Sequence, residues 1–92
     1  MSNIKETNHG NNDVMKTFYI ADKFADLCDA IEATGRSLSG ESRMNFFQKA
    51  NNMYMTEADF MMFVEEFTGD LYAEDYNAIV EALGEFREVM SA

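Results

Sequence analysis

Apolar residues in the last third of the chain recur at alternating spacings of four and three. Tyr72, Tyr76, Ile79, Leu83, Phe86 and Met90 follow one another this way, which is the heptad seam of a helix that packs lengthwise on another. The pattern predicts a helix over about 72–90, roughly 28 Å long at 1.5 Å per residue. Glu74 and Asp75 stand in its first turn, where the helix dipole favours acids. Gly84 lies mid-helix, at a cost of about 1 kcal/mol relative to Ala.

A second long helix is predicted over about 13–33, with Asp13 as a candidate N-cap and Gly35 placed to end it. Val14, Phe18, Ile20, Ala21, Phe24, Ala25, Leu27, Cys28 and Ile31 cover about half of its circumference at 100° per residue. Asp22, Asp26 and Asp29 form a row on the other side, with Met15 and Tyr19 beside them.

Two shorter helices lie between. One is expected over about 41–53 with Ser39 as its cap, and Phe46, Phe47, Ala50, Met53 and Tyr54 share a face. The next is expected over about 57–68. Thr56 and Asp59 resemble a capping box at its start, and Gly69 stops it. Its apolar stripe is Phe60, Phe63, Val64 and Phe67, while Met62 falls among outward acids and Met55 also projects outward. Residues 1–12 are polar and rich in Asn, and read as a mobile tail. The expectation is an all-α, compact four-helix bundle-like domain over 13–92, with long helices 1 and 4 and a short helical hairpin of helices 2 and 3.

Composition supports helices over strands: proline is absent and glycine occurs five times in 92 residues. A chain this short buries roughly 60–65% of its unfolded surface, leaving little room for a deep cavity. The lone Cys28 cannot form an intrachain disulfide, which fits a reducing cytoplasm. No apolar run approaches the ~20 residues of a membrane span.

Charge changes the picture most. Residues 1–55 carry seven acids and six bases; residues 56–92 carry ten acids and one base, Arg87, a net of −9 out of −10. Phosphate repulsion argues against direct nucleic-acid binding. Glu74, Glu81, Glu85 and Glu88 fall within about 60° of arc opposite the helix 4 seam. Acids at i, i+4 stand about 6 Å apart, near the spacing of successive phosphates on a strand. Such rows suit docking on a basic, nucleic-acid-handling protein. The candidate partner-binding set is therefore Glu74, Glu81, Glu85 and Glu88, with Asp22, Asp26 and Asp29. Met15, Tyr19 and Met62 add exposed apolar contacts.

Chemistry is sparse. Cys28 sits on the apolar arc, away from the single histidine, His9, in the tail, so no nucleophile–base pair is indicated. His9 has no second ligand at metal spacing. The segment from Asp70 to Glu81 has Asp75 where a calcium loop needs glycine. No cofactor motif stands in the sequence, and no enzyme is expected. A different reading is self-association through the helix 4 seam of Tyr72, Tyr76, Ile79, Leu83, Phe86 and Met90, giving a homodimer or a scaffold-like or ligand-sequestering assembly.

In size, acidity and lack of catalytic motifs the chain resembles the small acidic proteins with which bacteriophages inhibit host defence or transcription machinery, anti-CRISPR and anti-restriction proteins among them. The resemblance implies a non-enzymatic inhibitor. It assigns no residue.

Overall fold

A computed structural model describes the backbone from residue 2 to 92 and the side chains from 14 to 92. The expected tail over 1–12, with His9, lies outside the described side chains. The described chain is all-α with no strand: α1 (Ser2–Glu32), α2 (Gly40–Asn51), α3 (Glu57–Thr68) and α4 (Ala73–Ser91). α1 begins at Ser2, so Asp13 lies within the helix and is not its N-cap.

The local stop and start signals act as chemistry requires. Gly35 ends the turn after α1 with φ 109°, and Gly69 ends α3 with φ 85°, a region side chains with a Cβ rarely adopt. The Ser39 hydroxyl accepts from the Ser42 amide, and the Thr56 hydroxyl accepts from the Asp59 amide, both at 3.1 Å. Each satisfies one of the orphan donors at a helix start.

α1 and α4 lie antiparallel along their longest contact. Lys16 reaches the Ala92 oxygen and Lys23 reaches Glu85, so seven residues forward on α1 correspond to seven backward on α4. α2 and α3 each pack on α4. The core gathers Leu27, Cys28 and Ile31 from α1, Phe46 and Ala50 from α2, Phe60, Met61 and Val64 from α3, and Ile79, Leu83 and Phe86 from α4. Phe46 joins the short helices, with its ring 5.0–6.1 Å from those of Phe60, Phe63 and Phe67. Phe24, Phe47 and Phe86 form a second ring cluster linking α1, α2 and α4.

Three expectations need correction. α2 ends at Asn51, not residue 53; Met53 and Tyr54 leave its apolar face for an exposed loop, with Tyr54 97% exposed. Met55 turns inward and packs against the core. On α1, the covered stripe begins at Ile20 and is narrower than the arc, running through Phe24, Leu27, Cys28 and Ile31: Val14, Phe18, Ala21 and Ala25 are exposed despite lying on the apolar arc.

Gly84 is exposed in the uninterrupted α4, and a Cβ there would meet nothing within 4 Å. No close crossing explains it.

Candidate functional site

The α1–α4 pairing decides where the acidic rows fall. Lys23 Nζ stands 3.1 Å from Glu85 on α4 and 4.0 Å from Asp26 on its own helix. Its pKa is raised, first by the hydrogen bond and charge of Glu85, then by Asp26 and Asp22. Asp26 and Glu85 are thus brought to one ammonium, with the charge of the neighbouring Asp22 adding to theirs, and the rows of the two helices meet at Lys23. Asp29, Glu81 and Glu88 are exposed on the same two helices. Glu81, Glu85 and Glu88 follow at i+4 and i+3, so they share a face. Tyr19 lies one turn before Asp22 and Lys23, and Met15 one turn before Tyr19; both are about half exposed.

Met62 stands apart on α3, and Glu74 lies at the far end of the α4 row, two turns before Glu81. Met62 lines a shallow hollow of about 300 Å³ with Glu65 and Glu66 on α3. Glu74 lines another of about 380 Å³ with Tyr72, Ala73 and Asp75 at the start of α4.

The placement of the bases was not legible in the sequence. Among the described residues only Lys23 and Arg43 pair with carboxylates, Arg43 with Glu32 at 3.1 Å. The others turn to main-chain oxygens and aromatic rings. Lys16 donates to the Ala92 oxygen, and Lys49 sits 4.4 Å from the centre of the Phe63 ring. Arg36 stacks 4.1 Å from the Phe67 ring centre and donates to the Phe67 carbonyl.

Arg87, the sole base after residue 55, points away from the α4 acids. Its guanidinium donates to the carbonyls of Lys49, Ala50, Asn52 and Met55, at 3.3, 3.0, 3.1 and 2.7 Å. Burial lowers its pKa, and Glu57 partly opposes that. The side chain gives a second donor to the Lys49 and Asn52 carbonyls, which also accept from the Asn52 and Met55 amides, and caps those of Ala50, in the last turn of α2, and Met55, after it. The acids of α1 and α4 therefore face solvent with one embedded ammonium, while the remaining described cations are occupied elsewhere.

The seam offered for self-association lies mostly inside the chain. Ile79, Leu83 and Phe86 are buried, Tyr76 and Met90 are half-buried, and Tyr72 alone is exposed. α1 covers the seam within one molecule, so only its ends are left for a second copy. Cys28 is fully buried, and its thiol pKa is raised chiefly by burial. Among the described residues no group of three or more His, Cys, Asp or Glu is placed to hold a metal ion, and no helix is long and apolar enough to cross a membrane.

No protein-family model, curated protein or solved structure matches the chain.

Proposed function

We propose that the protein is a non-enzymatic binding protein of inhibitor type. It docks the joined acidic face of α1 and α4 on a basic surface of a nucleic-acid-handling protein and occupies the place of a phosphate backbone. One observation carries the reading. Asp26 of α1 meets Glu85 of α4 at a single lysine, with Asp22 beside it in sequence, while Arg87 is spent on carbonyl oxygens. An acidic surface that sets one ammonium against several exposed carboxylates keeps a net negative field for a partner. Such a field raises the association rate more than it tightens the final complex, and salt weakens it. Glu81 and Glu88 extend the row along α4, and Asp29 extends it along α1. Met15 and Tyr19 supply apolar contact at one end. A phage-encoded anti-defence role, against CRISPR or restriction machinery, is the setting that the class resemblance suggests.

The test is competition. Host lysate is passed over immobilised protein and over the Glu81→Lys, Glu85→Lys double variant, and bound proteins are challenged with duplex DNA or with salt. The proposal expects proteins retained by the parent, lost on the variant, and released by both challenges. Retention unaffected by charge reversal and by DNA overturns it.

A further inference from the structure

The connection between α1 and α2, residues 33–39, is held down by one carboxylate. Glu32, the last residue of α1, accepts from the Leu38 amide at 2.8 Å through one oxygen. Its other oxygen accepts from the Arg43 guanidinium at 3.1 Å. One side chain thus ties the end of α1 to the far end of the connection and to α2. Within 33–39 only Leu38 is buried; Thr34 is half-buried and the rest are exposed. A second fastening comes from Arg36, which stacks on the Phe67 ring and donates to the Phe67 carbonyl.

A thiol lies beneath this strap. Cys28 stands one turn before Glu32 on α1 and is fully buried. The Arg43 guanidinium is near enough to act on that thiol by charge and by hydrogen bonding, yet the Arg43 side chain is 42% exposed. The thiol is therefore one side chain away from water. Arg43 is that side chain, and Glu32 holds it in place.

The balance of contacts favours opening here before the rest of the domain. Lifting the strap takes one leucine from the core, breaks charged hydrogen bonds that water can replace, and unstacks Arg36. The ring clusters of Phe46 with Phe60, Phe63 and Phe67, and of Phe24 with Phe47 and Phe86, stay together. Segments with few buried contacts open at a lower free energy than the whole fold. We propose that residues 33–39, with the Arg43 side chain, form a strap that opens on the folded domain. Glu32 is its clasp, and opening admits solvent to Cys28. Cys28 is the probe of this motion and needs no chemical role of its own. Glu81 and Glu85 take no part, so a failure of acidic docking leaves the strap untouched.

The full chain is alkylated with iodoacetamide, a small neutral reagent, at one pH and rising urea, and followed by intact mass. In the parent, the rate should barely change with urea below the unfolding transition, because a local opening exposes little surface. Glu32→Ala should raise it by about tenfold or more with the parent's helical circular dichroism retained. Arg36→Ala loosens the other fastening and should raise it as well. Asp29→Asn is the control for charge alone. Asp29 also acts on the thiol by its charge but does not hold the strap, so its removal should change the rate far less. A parent rate that follows the slope of global unfolding from the lowest urea concentrations means that Cys28 reacts only in the unfolded chain, and overturns the proposal. So does a Glu32→Ala rate no faster than that of Asp29→Asn, or a rate unmoved by Arg36→Ala.

Discussion

Replacing Arg87 by methionine removes the guanidinium but keeps an apolar stem of similar reach. The head group donates to four carbonyl oxygens at 2.7–3.3 Å, three of them in partly buried bonds. A hydrogen bond from a charged donor contributes about 1.5–3 kcal/mol when its partner is out of water. Summing four such values would overcount, because one nitrogen serves two acceptors and water reaches the exposed end of the set. The expected loss is about 2–3 kcal/mol for the whole group. Domains of this kind have about 5–15 kcal/mol in all, and a loss of that size lowers the melting temperature by about 10–20 °C. Urea unfolding followed by far-ultraviolet circular dichroism measures it as a shift in midpoint at unchanged slope. Arg87→Lys separates charge from geometry. It keeps the cation but not the planar fork, so it should recover less than half of the loss. If both variants unfold within about 0.5 kcal/mol of the parent, Arg87 does not tie the α2–α3 junction to α4 and the reasoning fails.

Gly84→Ala should stabilise the chain by about 0.5–1 kcal/mol, since the new methyl meets no atom within 4 Å; a lower urea midpoint would contradict that. Thr56→Ala should cost about 1 kcal/mol by removing the cap on the Asp59 amide, and Thr56→Ser should restore most of it. Burial raises the Cys28 pKa above its ordinary 9.0, so the folded chain keeps a proton that the unfolded chain releases. Stability should therefore be unaffected by this group at neutral pH and fall as the pH rises above about 9. Cys28→Ala should flatten that fall, and an unchanged alkaline decline would exclude the thiol as its cause.

Local signals in the sequence carried most of the fold. Thr56 and Gly69 mark the observed bounds of α3, and the four–three spacing from Ile79 to Phe86 marks the buried face of α4. Helical periodicity gives the direction of a face, but not the length over which a neighbour covers it. This is why Val14 and Phe18 belong to the apolar arc of α1 and are nevertheless exposed. Met53 and Tyr54 continue the spacing of α2 by accident of register; the helix ends before them, with the Asn52 amide bonded back to Lys49. The acids of the candidate site were readable because outward charge leaves a periodic trace. The convergence of Asp26 and Glu85 on Lys23 was not, since it depends on the antiparallel register of helices far apart in sequence. Nor was the inward turn of Arg87, whose acceptors are main-chain carbonyls that no side-chain pattern reveals.

The central claim is that the acids on the joined α1–α4 face steer the protein to a basic partner. Association rates with a purified partner, taken across ionic strength, test it most directly. The comparison is between the parent, the Glu81→Lys, Glu85→Lys variant, and a control with the same charge change at Glu57 and Asp59 on α3. The account predicts a parent rate that falls steeply with salt, a slow and nearly salt-independent rate for the α4 variant, and a control close to the parent. Equal rates and equal salt slopes for all three would contradict it.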